Sequence, residues 1–350
     1  MTDVARRAGV HAATVSRALR DDPRITPAQR AKVQRAAQEL GYRTNPLVAA
    51  LMSARRTGRP PAFRATIAYI TNYPRERAEW FARAFGDILP GALNRARLQG
   101  YGIEEFNLAD PPITPRRAAE IFKARGIIGA IIAPLHSVQE YPQLDWAQLS
   151  TVAIGLSMTE VPVTRVTHNH FQGMSLVSRQ CRTAGHERLG LVVQRRVHEK
   201  VAKRWAAALL LEHSELPAAR RVPPLILEGA DEAAFLAWFH RHRPDVLLSH
   251  DLEPLRTWLK HAGLQIPRDV AFASLDRRER DGDVAGVDQD YAGVGAAAAD
   301  LLIAMLHRND RGLPSQPVTL DLDGQWIDGT TLRPGSPARR VTARAEATKG

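Results

Sequence analysis

The chain has one cysteine, Cys181, in 350 residues. A single thiol forms no internal disulfide and fits a reducing compartment. With no histidine at a recognisable spacing, it reads as a buried, apolar-like side chain and not as a nucleophile. No apolar run reaches the roughly 18 residues that a membrane-spanning helix needs. No apolar segment follows Met1, so no export signal is expected and the expected location is the cytoplasm. Phosphate-cradling glycine loops of the Gly-x-x-x-x-Gly-Lys type and Gly-x-Ser-x-Gly elbows are missing as well. The chain has 12 histidines, but the nearest pairs, His168-x-His170 and His240-x-His242, have no cysteine or carboxylate partner at a ligand spacing. The sequence therefore predicts no metal, no cofactor and no catalytic residue, and enzyme chemistry is the minor reading.

Basic charge is present and unevenly placed. Residues 1–62 hold 12 Lys and Arg against 4 Asp and Glu, and residues 333–350 hold 5 against 1. The long middle, 63–332, holds 31 against 32. A compact basic head on a neutral body points to a polyanionic partner for the head. The 44% hydrophobic content is enough for a buried core in that body.

The head reads as three short helices. The first starts at Thr2 or Asp3, and the second follows a turn at Gly9. Val4, Ala5, Ala8, Val10, Val15 and Leu19 take the core face. Two helices around a glycine turn make a helix-turn-helix unit, whose second helix enters the major groove. Its candidate contacts are His11, Ala12, Ala13, Thr14, Ser16 and Arg17. Arginine can take guanine O6 and N7 together, alanine touches only a thymine methyl, and hydroxyls suit phosphate. Ala12 and Ala13 are explained equally well by helix propensity. The third helix has the clearest start: Thr26 caps, Pro27 takes the first turn, Gln29 completes a capping box and Gly41 ends it. Asn45 then caps a further short helix begun by Pro46, with Leu51 and Met52 near its end. A basic, Pro/Gly-rich linker follows to Pro61. A helix this short is marginal in water and should form only on a partner.

Taken together, Asp3-Val4-Ala5, Ala8-Gly9-Val10, Thr14-Val15-Ser16-Arg17, Gly41-Tyr42, Asn45 and Leu51 resemble the lac repressor (LacI/GalR) family of transcription regulators. The resemblance implies that Leu51 is a minor-groove wedge which, paired with its copy from a second subunit, kinks the operator. The head departs from the family pattern at His11, where a capping serine is usual, at Thr44, where proline is common, and at Ala50, where a polar residue is common.

In the body, strand candidates at 65–71, 127–133, 151–154, 188–194, 245–249 and 269–274 alternate with helical stretches. The latter lie at 82–99, 115–124, 171–184, 203–213, 231–242, 253–262 and 291–307. Such alternation predicts parallel sheets covered on both faces, and a break near 155–170 suggests two of them. The resemblance implies a two-lobed, periplasmic-binding-protein-like body. The expected fold class is thus α/β, with an all-α head. The expected layout is a head at 1–44, a hinge and linker at 45–61, the body at 62–332 and a disordered basic tail at 333–350. Lobe 1 is expected to hold about 62–157 and 285–312, and lobe 2 about 158–284 and 317–332.

Open α/β sheets bind ligands beyond the carboxyl ends of their strands. Those ends carry Thr71, Asn72, Tyr73, Pro134, Asn169, His170, His250, Asp251 and Asp276. By resemblance, Arg204 matches an effector-contacting arginine, Asp276 an aspartate at a strand end, and Asn169 a position that is commonly aspartate. An arginine fork facing a carboxylate suits sugar hydroxyls. Each residue has a plainer reading as a surface ion pair or helix cap, and Trp80 and Phe81 as packing. The partners expected are double-stranded DNA with a near-palindromic operator, a carbohydrate-like effector and a second copy of the chain. The runner-up is a solute-binding or sugar-active module with no DNA role.

Overall fold

The computed structural model describes residues 2–19, 24–40, 65–109, 111–136, 138 and 141–333. The expected hinge, with Asn45 and Leu51, and the tail beyond Arg333 lie outside the described residues.

Three helices, α1 (Thr2–Ala8), α2 (Ala12–Ala18) and α3 (Pro27–Glu39), form the head. Gly9 makes the turn at a φ of +60°, a left-handed conformation that favours glycine. Thr26 caps α3 by accepting from the Gln29 amide at 3.3 Å. Val4, Ala8, Val15, Ala18 and Val33 are wholly enclosed. Their small side chains let short helices approach closely, while Val10 and Leu19 sit at the edge of this core.

The body has two six-stranded sheets. The first holds β1 (Ala65–Thr71), β2 (Tyr101–Asn107), β3 (Gly129–Ile132), β4 (Ser150–Ile154), β5 (Thr164–His168) and β11 (Thr319–Leu322), in the order β11-β5-β4-β3-β1-β2. The second holds β6 (Leu189–Gln194), β7 (Leu225–Leu227), β8 (Val246–Ser249), β9 (Ala271–Arg277), β10 (Gly286–Asp288) and β12 (Gln325–Ile327), in the order β12-β10-β9-β8-β6-β7. All pairings are parallel except β10 with β12.

Period-two alternation feeds a core on each face of each sheet. On the first sheet, Ile67 and Tyr69 face α5 (Ile88–Leu98) and α12 (Tyr291–Arg308), while Ala68 and Ile70 face α6 (Pro115–Ala124). On the second, Leu189 and Leu191 face α7 (His170–Thr183) and α9 (Arg204–Ser214), while Val192 and Phe272 face α10 (Glu232–His242) and α11 (Glu253–His261). Helices α5 and α12 touch backbone to backbone. A Cβ on Gly295 would lie 2.0 Å from the Ile88 carbonyl oxygen, and one on Gly91 2.0 Å from that of Ala292.

The lobe boundaries differ from those expected. Strand β5 stays in the first sheet, so the first crossing falls at Asn169 and not near 157. The second crossing falls at Gln289-Asp290, since β10 still belongs to the second sheet. The third falls at Asp323-Gly324, so β11 completes the first sheet and only β12 returns to the second. Strand β5 carries Thr164, Arg165, Thr167 and His168, and β11 is largely exposed, so neither gives the apolar run that flags a buried strand. The single helix expected over 82–99 is two, α4 (Ala78–Phe85) and α5, broken at Gly86-Asp87. A six-residue helix, α8 (Arg195–Lys200), was not foreseen. No described helix is long and apolar enough to cross a membrane.

Candidate functional site

In the head, α2 and the residue before it present an exposed face. His11 precedes α2 in extended conformation and makes no side-chain capping bond. Ala12, Ala13 and Arg17 are exposed, and Thr14 is partly covered. Ser16 lies in α2, two residues from Ala18, whose side chain is in the core. Arg7 is held by Glu39 at 2.9 Å, which ties α1 to the end of α3.

In the body, carboxyl ends of both sheets meet across the crossings. Asp276, at the end of β9, accepts from Arg278 Nε at 3.0 Å and from the Tyr291 hydroxyl at 3.0 Å. Arg278 is only 7% exposed. Its guanidinium lies 3.2 Å from the Tyr291 ring centroid and donates to the Ala84 carbonyl at 2.5 Å, with Asp87 at 3.8 Å. Ala84, Asp87 and Tyr291 belong to the first lobe and Arg278 to the second, so this one side chain fastens the lobes together. Burial and the facing Asp276 raise the Tyr291 hydroxyl well above its ordinary value, so it stays a donor.

Helix α8 makes a second bridge. The Lys200 ammonium lies 4.8 Å from the Phe85 centroid and 5.7 Å from that of Trp80. Arg196 lies 5.5 Å from Trp80 and donates to the His136 carbonyl at 3.3 Å. Burial pushes the Lys200 ammonium down to about 7, with Arg196 adding repulsion and Asp276 opposing it. Trp80 and Phe81 pack instead of standing free: Phe81 stacks on Tyr73 at 4.3 Å, and Trp80 meets Phe85 and His136 edge to face.

A third set surrounds the crossings. His168 packs on Tyr291 at 4.5 Å and on His170 at 5.7 Å, and His170 meets Trp205 at 5.3 Å. Burial drives His168 down to about 4 and His170 well below its ordinary value, so both are neutral. His250 stacks on Trp205 at 6.2 Å and is likewise lowered by burial, against the pull of Asp251 and Asp276. Arg204 reaches Asp321 of the first sheet at 2.6 Å. Asn169 caps α7 through the Gln172 amide and donates to Asp323 at 2.8 Å, linking the first crossing to the third. Among the described residues, no three His, Cys, Asp or Glu side chains gather as a metal-binding set.

The structure thus gathers Asn169, His170, Arg204, His250 and Asp276 around one interlobe region. Asn72 follows β1 at the first lobe's edge, and Asp251 is exposed beside His250. Three of these residues are spoken for: Asn169 is a helix cap, Arg204 is half of a cross-lobe ion pair, and Asp276 accepts from Arg278 and Tyr291. Sequence reading missed Arg278, Lys200, Arg196 and Asp321. Arg278 sits in the run Asp276-Arg277-Arg278-Glu279-Arg280, which reads as a solvated surface. Lys200 and Arg196 do follow the carboxyl end of a strand, the one available signal, but α8 is too short to show a period.

Residues 1–45 match the family described as bacterial regulatory proteins, lacI family, and residues 178–331 match the periplasmic binding protein-like domain. The HTH-type transcriptional regulator reg1 of Streptomyces lividans is 24% identical over 294 residues, covering 79% of this chain and 80% of that one. Among solved structures, the lac repressor dimer bound to operator and the anti-inducer ONPF aligns with a TM-score of 0.56 at 17% identity, over 95% of this chain and 98% of that one. The transcriptional regulator CelR in complex with cellobiose aligns at 0.56 with 21% identity, over 94% and 98%. A lacI-family regulator described from Rhizobium etli aligns at 0.57 with 17% identity, over 77% and 99%. At these identities the structural likeness is one of fold.

Proposed function

We propose that this chain, a lacI-family transcriptional regulator joining a helix-turn-helix domain to a periplasmic-binding-protein-like domain, is a repressor whose operator affinity is set by a small polar, sugar-like effector between the lobes. The observation that carries this reading is the pairing of two surfaces in one chain. One is the exposed face of His11, Ala12, Ala13 and Arg17 on α2. The other is the interlobe region, where Arg278, Lys200 and Arg204 each reach from one lobe to the other.

Two copies of the head read two half-sites, so the operator is near-palindromic. Arg17 takes a base edge, Thr14 and Ser16 take phosphates, and the segment with Asn45 and Leu51 opens the operator centre. Effector binding changes the angle between lobes and hence the spacing of the paired heads, a coupling free energy between two sites. The lac repressor dimer on its operator and CelR with cellobiose support the dimer and the effector class. The same reading places the protein in the cytoplasm, with its operator.

The test is fluorescence anisotropy of the full chain on a palindromic DNA library over a range of salt. Expected is selection of one near-palindrome, with affinity falling log-linearly with salt. Equal affinity for every sequence at moderate salt rules the reading out. Arg204→Ala should keep operator binding and remove the effector response.

A further inference from the structure

Helix α4 lies where the first lobe would receive a ligand. Ligands of open sheets gather beyond the carboxyl ends of the strands, and α4 packs on residues that follow two of them. Phe81 stacks on Tyr73, just past β1, at 4.3 Å, and Trp80 meets His136, just past β3, at 5.0 Å. Trp80, Phe81, Ala84 and Phe85 share the covered side of α4, while Glu79, Ala82 and Arg83 are exposed. Phe81 is buried and the other three are half-buried. Lifting α4 therefore uncovers less than withdrawing α12, which encloses Val294, Ala298, Leu302 and Leu306.

The second lobe takes hold of this helix from two places. The last turn of a helix offers carbonyls that have no partner within it. Arg278, after β9, takes that of Ala84 at 2.5 Å and approaches Asp87 at 3.8 Å. From α8, Lys200 stands 4.8 Å from the Phe85 ring and 5.7 Å from that of Trp80, and Arg196 stands 5.5 Å from Trp80. Ring faces attract such cations, and a helix carboxyl end does so too.

We infer, on the reading that the region between the lobes receives the effector, that α4 is a built-in strap: it covers the first lobe's half of that region, and the effector acts by displacing it. With α4 in place, groups of the chain itself hold the lobes together. A ligand that takes the strand ends of the first lobe removes the helix that Arg278, Lys200 and Arg196 grip. It thus frees the lobes, where a ligand that merely bridged them would draw them together.

Hydrogen-exchange mass spectrometry on the full-length protein, with no small molecule added, tests this. In the wild type, 78–87 should exchange at least about tenfold faster than 291–308, because a strap opens without unfolding the lobe. Arg196→Met/Lys200→Met removes the two cations of α8 and should speed exchange of 78–87 by at least about fivefold. Lys200→Arg keeps a cation over the rings and should exchange like the wild type. The inference fails if 78–87 and 291–308 exchange together in the wild type, or if the double variant leaves 78–87 as protected as before. The wild-type comparison alone decides should the double variant not fold. Released from its strap, the double variant should also shift operator affinity, read by fluorescence anisotropy, with no small molecule present. Loosening of 78–87 with unchanged operator affinity refutes the regulatory reading only. A shift in operator affinity with 78–87 still protected refutes the strap only.

Discussion

Arg278→Met removes the side chain that fastens the lobes. The Asp276 carboxylate and the Ala84 carbonyl each lose a donor, Asp87 loses an ion-pair partner and the Tyr291 ring its cation, while a methionine keeps most of the volume. Breaking a buried ion pair by deleting one partner costs roughly 3–5 kcal/mol, because the other charge is left without compensation. The side chain of Asp276 is 21% exposed and keeps the Tyr291 hydroxyl, so the lower end, about 3 kcal/mol, is expected. For a body of this size, each kcal/mol moves the melting temperature by roughly 2 °C, which gives a drop of about 6 °C. Scanning calorimetry reads this directly, and small-angle scattering should show a larger radius of gyration as the lobes part. The double variant Asp276→Asn/Arg278→Met should be more stable than Arg278→Met by about 1 kcal/mol or more, because the stranded charge is gone. A loss below about 1 kcal/mol, or a double variant no more stable than the single one, would refute the latch.

Other outcomes follow from features already described. Arg17→Ala should weaken operator binding by about 1–3 kcal/mol and relax base choice at one position of each half-site; an unchanged base preference removes Arg17 from the readout. Gly295→Ala should destabilise the first lobe by about 1–3 kcal/mol, since its Cβ would fall 2.0 Å from the Ile88 carbonyl oxygen; a wild-type melting temperature would contradict the close helix contact. Acid should destabilise the cleft. His168 is held neutral down to about 4, whereas in the unfolded chain it protonates near 6.5, so its contribution is complete above that value and lost as pH falls between the two. Denaturant titrations between those limits should show stability falling with pH, with a shallower slope in His168→Gln.

The head and the long helices were legible because their signals are local. Thr26-Pro27 starts α3 within four residues, and α12 keeps its apolar side through Val294, Ala298, Leu302 and Leu306. Strands β1, β3 and β8 declare themselves as apolar runs. Strands β2 and β5 do not: Glu104 and Glu105 interrupt one, and Thr164, Arg165 and Thr167 the other. Missing β5 moved the first crossing by about ten residues. The reading of strand carboxyl ends named Asp276 and His250, and the structure has them at the ends of β9 and β8. The contacts that join the lobes were not legible, because Arg278 with Ala84 and Arg204 with Asp321 lie 194 and 117 residues apart. A charged side chain in sequence does not reveal whether it faces water or the other lobe.

The three crossings also fix when each part of the molecule can fold during synthesis. The first sheet receives α12, the last of its covering helices, only at residues 291–308 and its edge strand only at 319–322. The second lobe is made in between, yet its own last strand comes at 325–327. Neither lobe can close its core on a ribosome until nearly the whole body has emerged, while the head, complete by residue 40, has no such wait. The nascent chain therefore presents a finished head well before it has the body that would control it.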